Sequence, residues 1–135
     1  MHKRLHHVGI IINSEEKAKE FLDMYDLEVD YSGETPYQTK FYFTKVNTAY
    51  SESPLEILVP SGGKLAEYNN GKGGIHHLCF EVDDVEATSK EYLKKGYELL
   101  ENPYAVSGGG RHKVNFIKPK SSCGILVELM EEVVL

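Results

Sequence analysis

Two residues in each half of this chain have the chemistry to hold a metal ion. His7 and His77 stand in the phrases "HHVGI" and "HHLCF", and Glu56 and Glu128 stand in "LEIL" and "VELM". His7 precedes Glu56 by 49 residues, and His77 precedes Glu128 by 51. Two imidazole nitrogens with two carboxylate oxygens form a mixed donor set. It suits one borderline or hard divalent ion such as Zn, Ni, Co, Mn or Fe(II). On an octahedral ion, four protein ligands leave cis positions for water or for both oxygens of a chelating substrate. An ion held that way acts as a Lewis acid on a carbonyl.

The elements that must position these residues are written twice. With residue 7 laid on residue 77, "LHHVGI" faces "IHHLCF". Each run alternates and is apolar, which predicts a β-strand. Asn13 with Glu16, and Asp83 with Glu86, have the spacing of a helix-capping box. Ala18, Phe21, Leu22 and Tyr25 then fall at helical spacing, as Val85, Thr88, Tyr92 and Leu93 do more weakly. Gly96 predicts a helix end. The stretches "LEVDY", "TKFYFTKV" and "PLEILVP" read as strands in the first half, and "YELL", "HKVNFIK" and "GILVELM" in the second. The pattern is β-α-β-β-β, twice. It predicts one α+β domain over 1–135, with module one at 4–60, a Gly- and Asn-rich linker at 61–74 and module two at 75–132. A short helical turn is expected in the linker near Leu65 to Tyr68.

Alternate side chains of a strand share a face. His7 therefore lies with Gly9 and Ile11, and His77 with Cys79. His6 and His76 fall on the opposite faces, where they read as packing groups. Leu55, Ile57 and Val59 share one face of their strand, and Ile125, Val127 and Leu129 share one face of theirs. Glu56 and Glu128 point away from those apolar faces. Cys79 reads as a buried structural thiol.

Composition narrows the class. The chain has 135 residues, 41% hydrophobic and 27% charged, with a net charge of −6 and no dense Lys/Arg block. That argues against a nucleic-acid footprint. Cys79 and Cys123 belong to no CxxC pair, so no disulfide framework is expected, and a reducing cytoplasmic setting is. No apolar run approaches membrane-spanning length, and no signal-peptide core is evident, so no membrane partner is expected. The stretch "YAVSGGGRHK", residues 104 to 113, reads as a loop in which Arg111 and Lys113 are candidate contacts to a substrate carboxylate or phosphate.

Over nearly its whole length the sequence resembles the vicinal oxygen chelate superfamily, which includes glyoxalase I, methylmalonyl-CoA epimerase, extradiol dioxygenases and bleomycin- and fosfomycin-resistance proteins. The resemblance implies paired βαβββ modules, packed pseudo-symmetrically, whose mixed sheets curl around a metal. Its four ligand positions fall on His7, Glu56, His77 and Glu128. The segments "SPLEILVPSGG", "GKGGIHHLCFEVDDVEA" and "KVNFIKPKSSCGILVELMEE" are similar to those of the epimerases. Two segments differ from them. "SGGGRHK", residues 107 to 113, replaces a Gly-Ala-His-Gly-like turn. "ETPYQTK", residues 34 to 40, offers only Glu34 where epimerases tend to carry an acid proposed as one of two bases. A carboxylate at position 56 favours an isomerase or lyase over a dioxygenase, and four retained ligands disfavour a pure sequestering role.

The resemblance implies a metal-dependent isomerase that removes a proton α to a carbonyl or thioester, as methylmalonyl-CoA epimerase does. Glu128 is the expected base and Glu56 the second. Two other functions use the same scaffold. One is glyoxalase I (lactoylglutathione lyase) chemistry on a thiohemiacetal, and the other is non-catalytic binding of a small anion or drug. The family is often dimeric, and the apolar tail "VVL" at residues 133 to 135 is a candidate homodimer contact.

Overall fold

The computed structural model describes residues 2–133, with side chains from residue 4 onward. The chain divides into two compact units, one formed by residues 7–76 and the other by residues from 77 onward together with those up to His6. The divisions fall inside strands, between the histidines of each pair. Among the described residues no helix is long and apolar enough to cross a membrane.

In the first unit β1 (His2–Ile11) leads to α1 (Glu15–Met24), β2 (Val29–Thr35), β3 (Thr39–Thr44) and β4 (Leu55–Pro60). The sheet is mixed: β1 pairs parallel to β4, β4 antiparallel to β3, and β3 antiparallel to β2. A short helix α2 (Gly63–Glu67) follows, at the expected place in the linker. One face of the sheet is covered by α1. Ala18, Ile57 and Val59 are buried there, with Ile10, Ile12, Phe21, Leu22, Tyr42 and Leu55 packed around them. The apolar face anticipated for β4 is therefore the helix-covered one. Tyr42 reaches α1 by donating its hydroxyl proton to Glu15 (2.6 Å). That hydrogen bond, with burial and the Glu15 charge, pushes the phenol from 10.0 up to about 12.

The second unit repeats the order. β5 (Gly74–Val82) leads to α3 (Val85–Lys94), β6 (Ala105–Ser107), β7 (His112–Ile117) and β8 (Val127–Glu132). Again the pairing is mixed, with β5 parallel to β8 and the β8–β7 and β7–β6 pairs antiparallel. Val82, Val85, Ile117, Val127 and Leu129 form the buried cluster under α3.

Several local expectations shift. The helix caps lie one residue later than the capping-box spacing suggested. Ser14 accepts from the Lys17 amide and Asp84 from the Ala87 amide, each at 3.0 Å. Asn13 is engaged elsewhere, donating to the Gly71 carbonyl. Tyr25 caps α1 instead of packing under it and is exposed, and Leu93 is exposed as well. Ile125 is also exposed, because β8 begins only at Val127. Gly96 does end α3: its φ is +88°, and the Tyr97 amide reaches back to the Tyr92 carbonyl at 3.0 Å. Such a 6→1 bond satisfies a carbonyl the helix leaves open.

The second strand of module two is the larger correction. "YELL" makes only an isolated bridge, Leu99 to Ile117, although Leu100 donates to the Phe116 carbonyl and Lys118 to the Glu98 carbonyl. Pro103 follows closely. It lacks an amide proton, and such a residue cannot extend the ladder. The edge strand is instead Ala105–Ser107, within the stretch read as a loop.

Asn115 holds this irregular crossing. Its side chain is fully buried, accepts from the Glu101 amide (2.9 Å), and donates to Ser89 Oγ (3.0 Å) and the Glu101 carbonyl (3.1 Å). This explains why Ser89 is buried in α3. Asn115→Ala strips partners from several groups already removed from water. It is expected to cost about 2–3 kcal/mol, read as a lower urea midpoint at unchanged m-value.

Candidate active site

Register explains how His7 and Glu56 meet. In the parallel β1–β4 pair Gly9 lies beside Glu56. Partners across a ladder project to the same side, and so does the residue two positions earlier. His7 and Glu56 therefore share the face of the first unit that α1 does not cover. His7 Nε2 lies 3.4 Å from Glu56 Oε1, with the side chains only 3% and 13% exposed.

The second unit repeats this arrangement. Cys79 lies beside Glu128 in the parallel β5–β8 pair, and His77 is two residues before Cys79. His77 Nε2 and Glu128 Oε1 are 3.3 Å apart, with side chains 5% and 11% exposed. Cys79 is buried against Val114 and Met130, as expected of a packing thiol, and no disulfide joins it to the exposed Cys123.

The donor chemistry of each pair fits a divalent ion. Two N/O ligands at ordinary bond lengths of about 2.1 Å stand ~3.0 Å apart when cis on an octahedron and ~3.4 Å apart on a tetrahedron. Both observed separations meet that range. A buried carboxylate is costly unless a positive charge or a set of hydrogen bonds offsets its lost hydration. A protonated imidazole would do this, and so would a cation bound between the two groups.

Each pair has an aromatic neighbour that strand alternation alone does not single out. Phe43 of β3 lies opposite Glu56, and its ring meets the His7 imidazole edge-on, with centroids 5.0 Å apart. Phe116 of β7 lies opposite Glu128 and meets His77 in the same T-shaped sense at 6.4 Å. The signal lay in the alternation of "TKFYFT" and "HKVNFI". The pairing register needed to read it did not.

Other candidates fall elsewhere. Glu34 pairs with Lys40, one residue out of phase with Tyr31, Gly33, Phe41 and Phe43. It therefore leaves the opposite side of the sheet from His7 and Glu56. Lys113 is likewise out of phase with Phe116, and its ammonium sits 5.0 Å from the centre of the Tyr104 ring. Tyr104 packs on the α3-side core, so Lys113 is not brought onto the Glu128 face. Arg111 is exposed at the end of the Gly108–Gly110 turn, its carbonyl accepting from the Val133 amide. His6 is buried, and His76 packs edge-on to Tyr68 with ring centroids 4.9 Å apart.

Residues 6–116 match the Glyoxalase/Bleomycin resistance protein/Dioxygenase superfamily. The mitochondrial methylmalonyl-CoA epimerase of Dictyostelium discoideum is 31% identical over 134 residues, covering 96% of this chain and 78% of that protein. The ethylmalonyl-CoA/methylmalonyl-CoA epimerase of Cereibacter sphaeroides is 32% identical over 133 residues, covering 93% and 96%. Among solved structures, a methylmalonyl-CoA epimerase of Streptomyces coelicolor in complex with 2-nitronate-propionyl-CoA superposes with a TM-score of 0.85. It is 25% identical, covering 99% of this chain and all of that one. The chain belongs to the Glyoxalase/Bleomycin resistance protein/Dioxygenase superfamily and is an enzyme resembling the methylmalonyl-CoA epimerases.

Proposed function

We propose that this enzyme moves a proton at the carbon α to the carbonyl of an acyl-thioester, with methylmalonyl-CoA as the first candidate substrate. His7, Glu56, His77 and Glu128 together would hold one divalent ion, with Zn, Ni, Co, Mn and Fe(II) all compatible with the donors. When bound, the ion supplies a Lewis acid toward the substrate's carbonyl oxygen. Glu128 takes the α-proton on a carboxylate oxygen. Glu56, the counterpart on the other module, delivers a proton to the opposite face of the same carbon. Inversion at carbon requires two such groups. General-base help of this kind contributes typically ~10²–10⁴-fold. Phe43 and Phe116 hold the two imidazoles by their edges and keep water from them.

The observation that carries this reading is the repeated register, in which each unit sets a buried imidazole within 3.4 Å of a buried carboxylate by the same strand offsets. The epimerase relatives support the substrate class. A reducing, cytoplasmic setting and a homodimer complete the proposal. Two residues of the apolar tail, Val134 and Leu135, lie outside the described residues.

The test is exchange in heavy water. With metal-loaded enzyme and one epimer of methylmalonyl-CoA, deuterium should enter the α-carbon as the other epimer appears. Absence of exchange alongside consumption of the methylglyoxal–glutathione adduct would move the assignment to a glyoxalase.

A further inference from the structure

The two imidazoles are supported unequally. In the first unit Phe43 is buried and meets His7 edge-on at 5.0 Å. Phe43 in turn stacks on Tyr31, with centroids 4.9 Å apart and planes 20° apart. Phe41 packs edge-on against both Tyr31 (6.0 Å) and Phe43 (5.7 Å). Its ring lies across Gly33, where an added Cβ would come within 2.9 Å of it. In the second unit Phe116 meets His77 at 6.4 Å and, among the described residues, meets no other ring. It packs instead on the cluster of Cys79, Val114 and Met130. The β6 strand pairs only as far as Val114, so it sets no side chain opposite Phe116.

One extra residue builds this difference. Val29 pairs with Thr44 and Tyr31 with Phe43, so β2 takes two steps where β3 takes one. Asp30 is the inserted residue. Without it the count along β2 would set Tyr31 opposite Tyr42, whose side chain packs under α1. Bulges re-aim side chains in this way. Here the insertion turns Tyr31 onto the His7 face, into the row Tyr31, Phe43, Glu56 that crosses β2, β3 and β4.

We propose that Tyr31 and Phe43 are positioning residues for His7. Their stack fixes the imidazole beside Glu56 before any ion arrives, whereas His77, against a single and more distant ring, settles only on binding. The inference rests on the reading of His7 as a metal ligand. A ligand side chain already held in its bound geometry gives up less freedom when the ion is captured, and the site binds more tightly for it. Each aromatic contact along His7, Phe43 and Tyr31 contributes roughly two- to tenfold to an equilibrium constant. Removing the outer ring therefore loosens the inner one, and the imidazole with it.

Zinc affinity, measured by chelator competition on substrate-free protein, tests this without turnover. Phe43→Leu should weaken binding by about 10–100-fold, and Tyr31→Leu by about three- to tenfold. Tyr31→Phe keeps the ring and should stay within about twofold of the parent. Phe116→Leu should cost less than Phe43→Leu by about threefold or more. In a His7→Ala background Tyr31→Leu should have no further effect, because its route to the ion is the missing imidazole. Tyr31 is 42% exposed, so if Phe43→Leu does not fold, the Tyr31 variants decide alone. The inference is overturned, with His7 still a ligand, by parent-like affinity in Tyr31→Leu or by an equal loss in Tyr31→Phe. An undiminished loss in the His7→Ala background, or a loss in Phe116→Leu that equals that in Phe43→Leu, also overturns it. A parent enzyme that binds no zinc, or binds it equally well after His7→Ala, overturns the ligand reading too.

Discussion

Glu128→Gln is expected to slow deuterium exchange at the α-carbon by about 10²–10⁴-fold while the protein stays folded. Glu128 sits in β8 between Val127 and Leu129, which anchor the strand in the core under α3. Glutamine has the same shape and keeps an oxygen for the neighbouring His77, but it cannot take up a proton at neutral pH. The circular dichroism spectrum and thermal midpoint should therefore hold while turnover falls. Metal content separates the two roles given to this residue. A variant that retains its ion but loses exchange has lost a base, and one that loses the ion has lost a ligand. Glu56→Gln should act differently, because the second base is needed only for inversion. Exchange of one epimer should persist in that variant while conversion to the other epimer fails. Epimerisation at the parent rate in Glu56→Gln would remove Glu56 from the mechanism, and full exchange in Glu128→Gln would remove Glu128.

The pairing of His7 with Glu56 and of His77 with Glu128 was legible because period-two alternation fixes which side chains share a face, and the matched spacings tie one strand to another. The apolar face of β4, and that of β8 from Val127 onward, followed from the same alternation. What sequence could not supply was register between strands distant in the chain. Phe43 and Phe116 read as ordinary strand residues until the ladder sets them opposite Glu56 and Glu128. Lys113 looked available to substrate because its phase relative to Glu128 depends on that same register. Asn115 was invisible for a different reason. It interrupts an apolar alternation with a polar group, and only the folded crossing near Pro103 provides the partners that make its burial affordable. The caps moved by one residue because Asn13 and Ser14 are both good cap residues, and the carbonyl of Gly71 claims the first of them.

Metal titration of the chain should give one equivalent, not two. Each unit offers an imidazole and a carboxylate 3.3–3.4 Å apart, so each could in principle hold an ion by two ligands. Two protein ligands make a weak site, whereas four from two modules make a strong one. The alternatives part in the variants. If the pairs acted independently, His7→Ala would leave the His77–Glu128 site untouched, and half of the bound metal would remain at parent affinity. If all four ligands share one ion, His7→Ala and His77→Ala should each weaken the whole site. Losing an outer-shell partner already costs about 10–100-fold in metal affinity, so loss of a direct ligand should cost at least that. Stability offers an independent reading. Metal at 100 times its dissociation constant adds about 2.7 kcal/mol to the folded state, equivalent to a rise of roughly 5–15 °C in Tm for a chain of this size. A chelator should reverse the rise in the parent enzyme. In either histidine variant, metal at the same concentration should have little effect on Tm. Parent-like stabilisation in both single variants would dissolve the shared site, and with it the placing of Glu56 and Glu128 on opposite faces of one carbon.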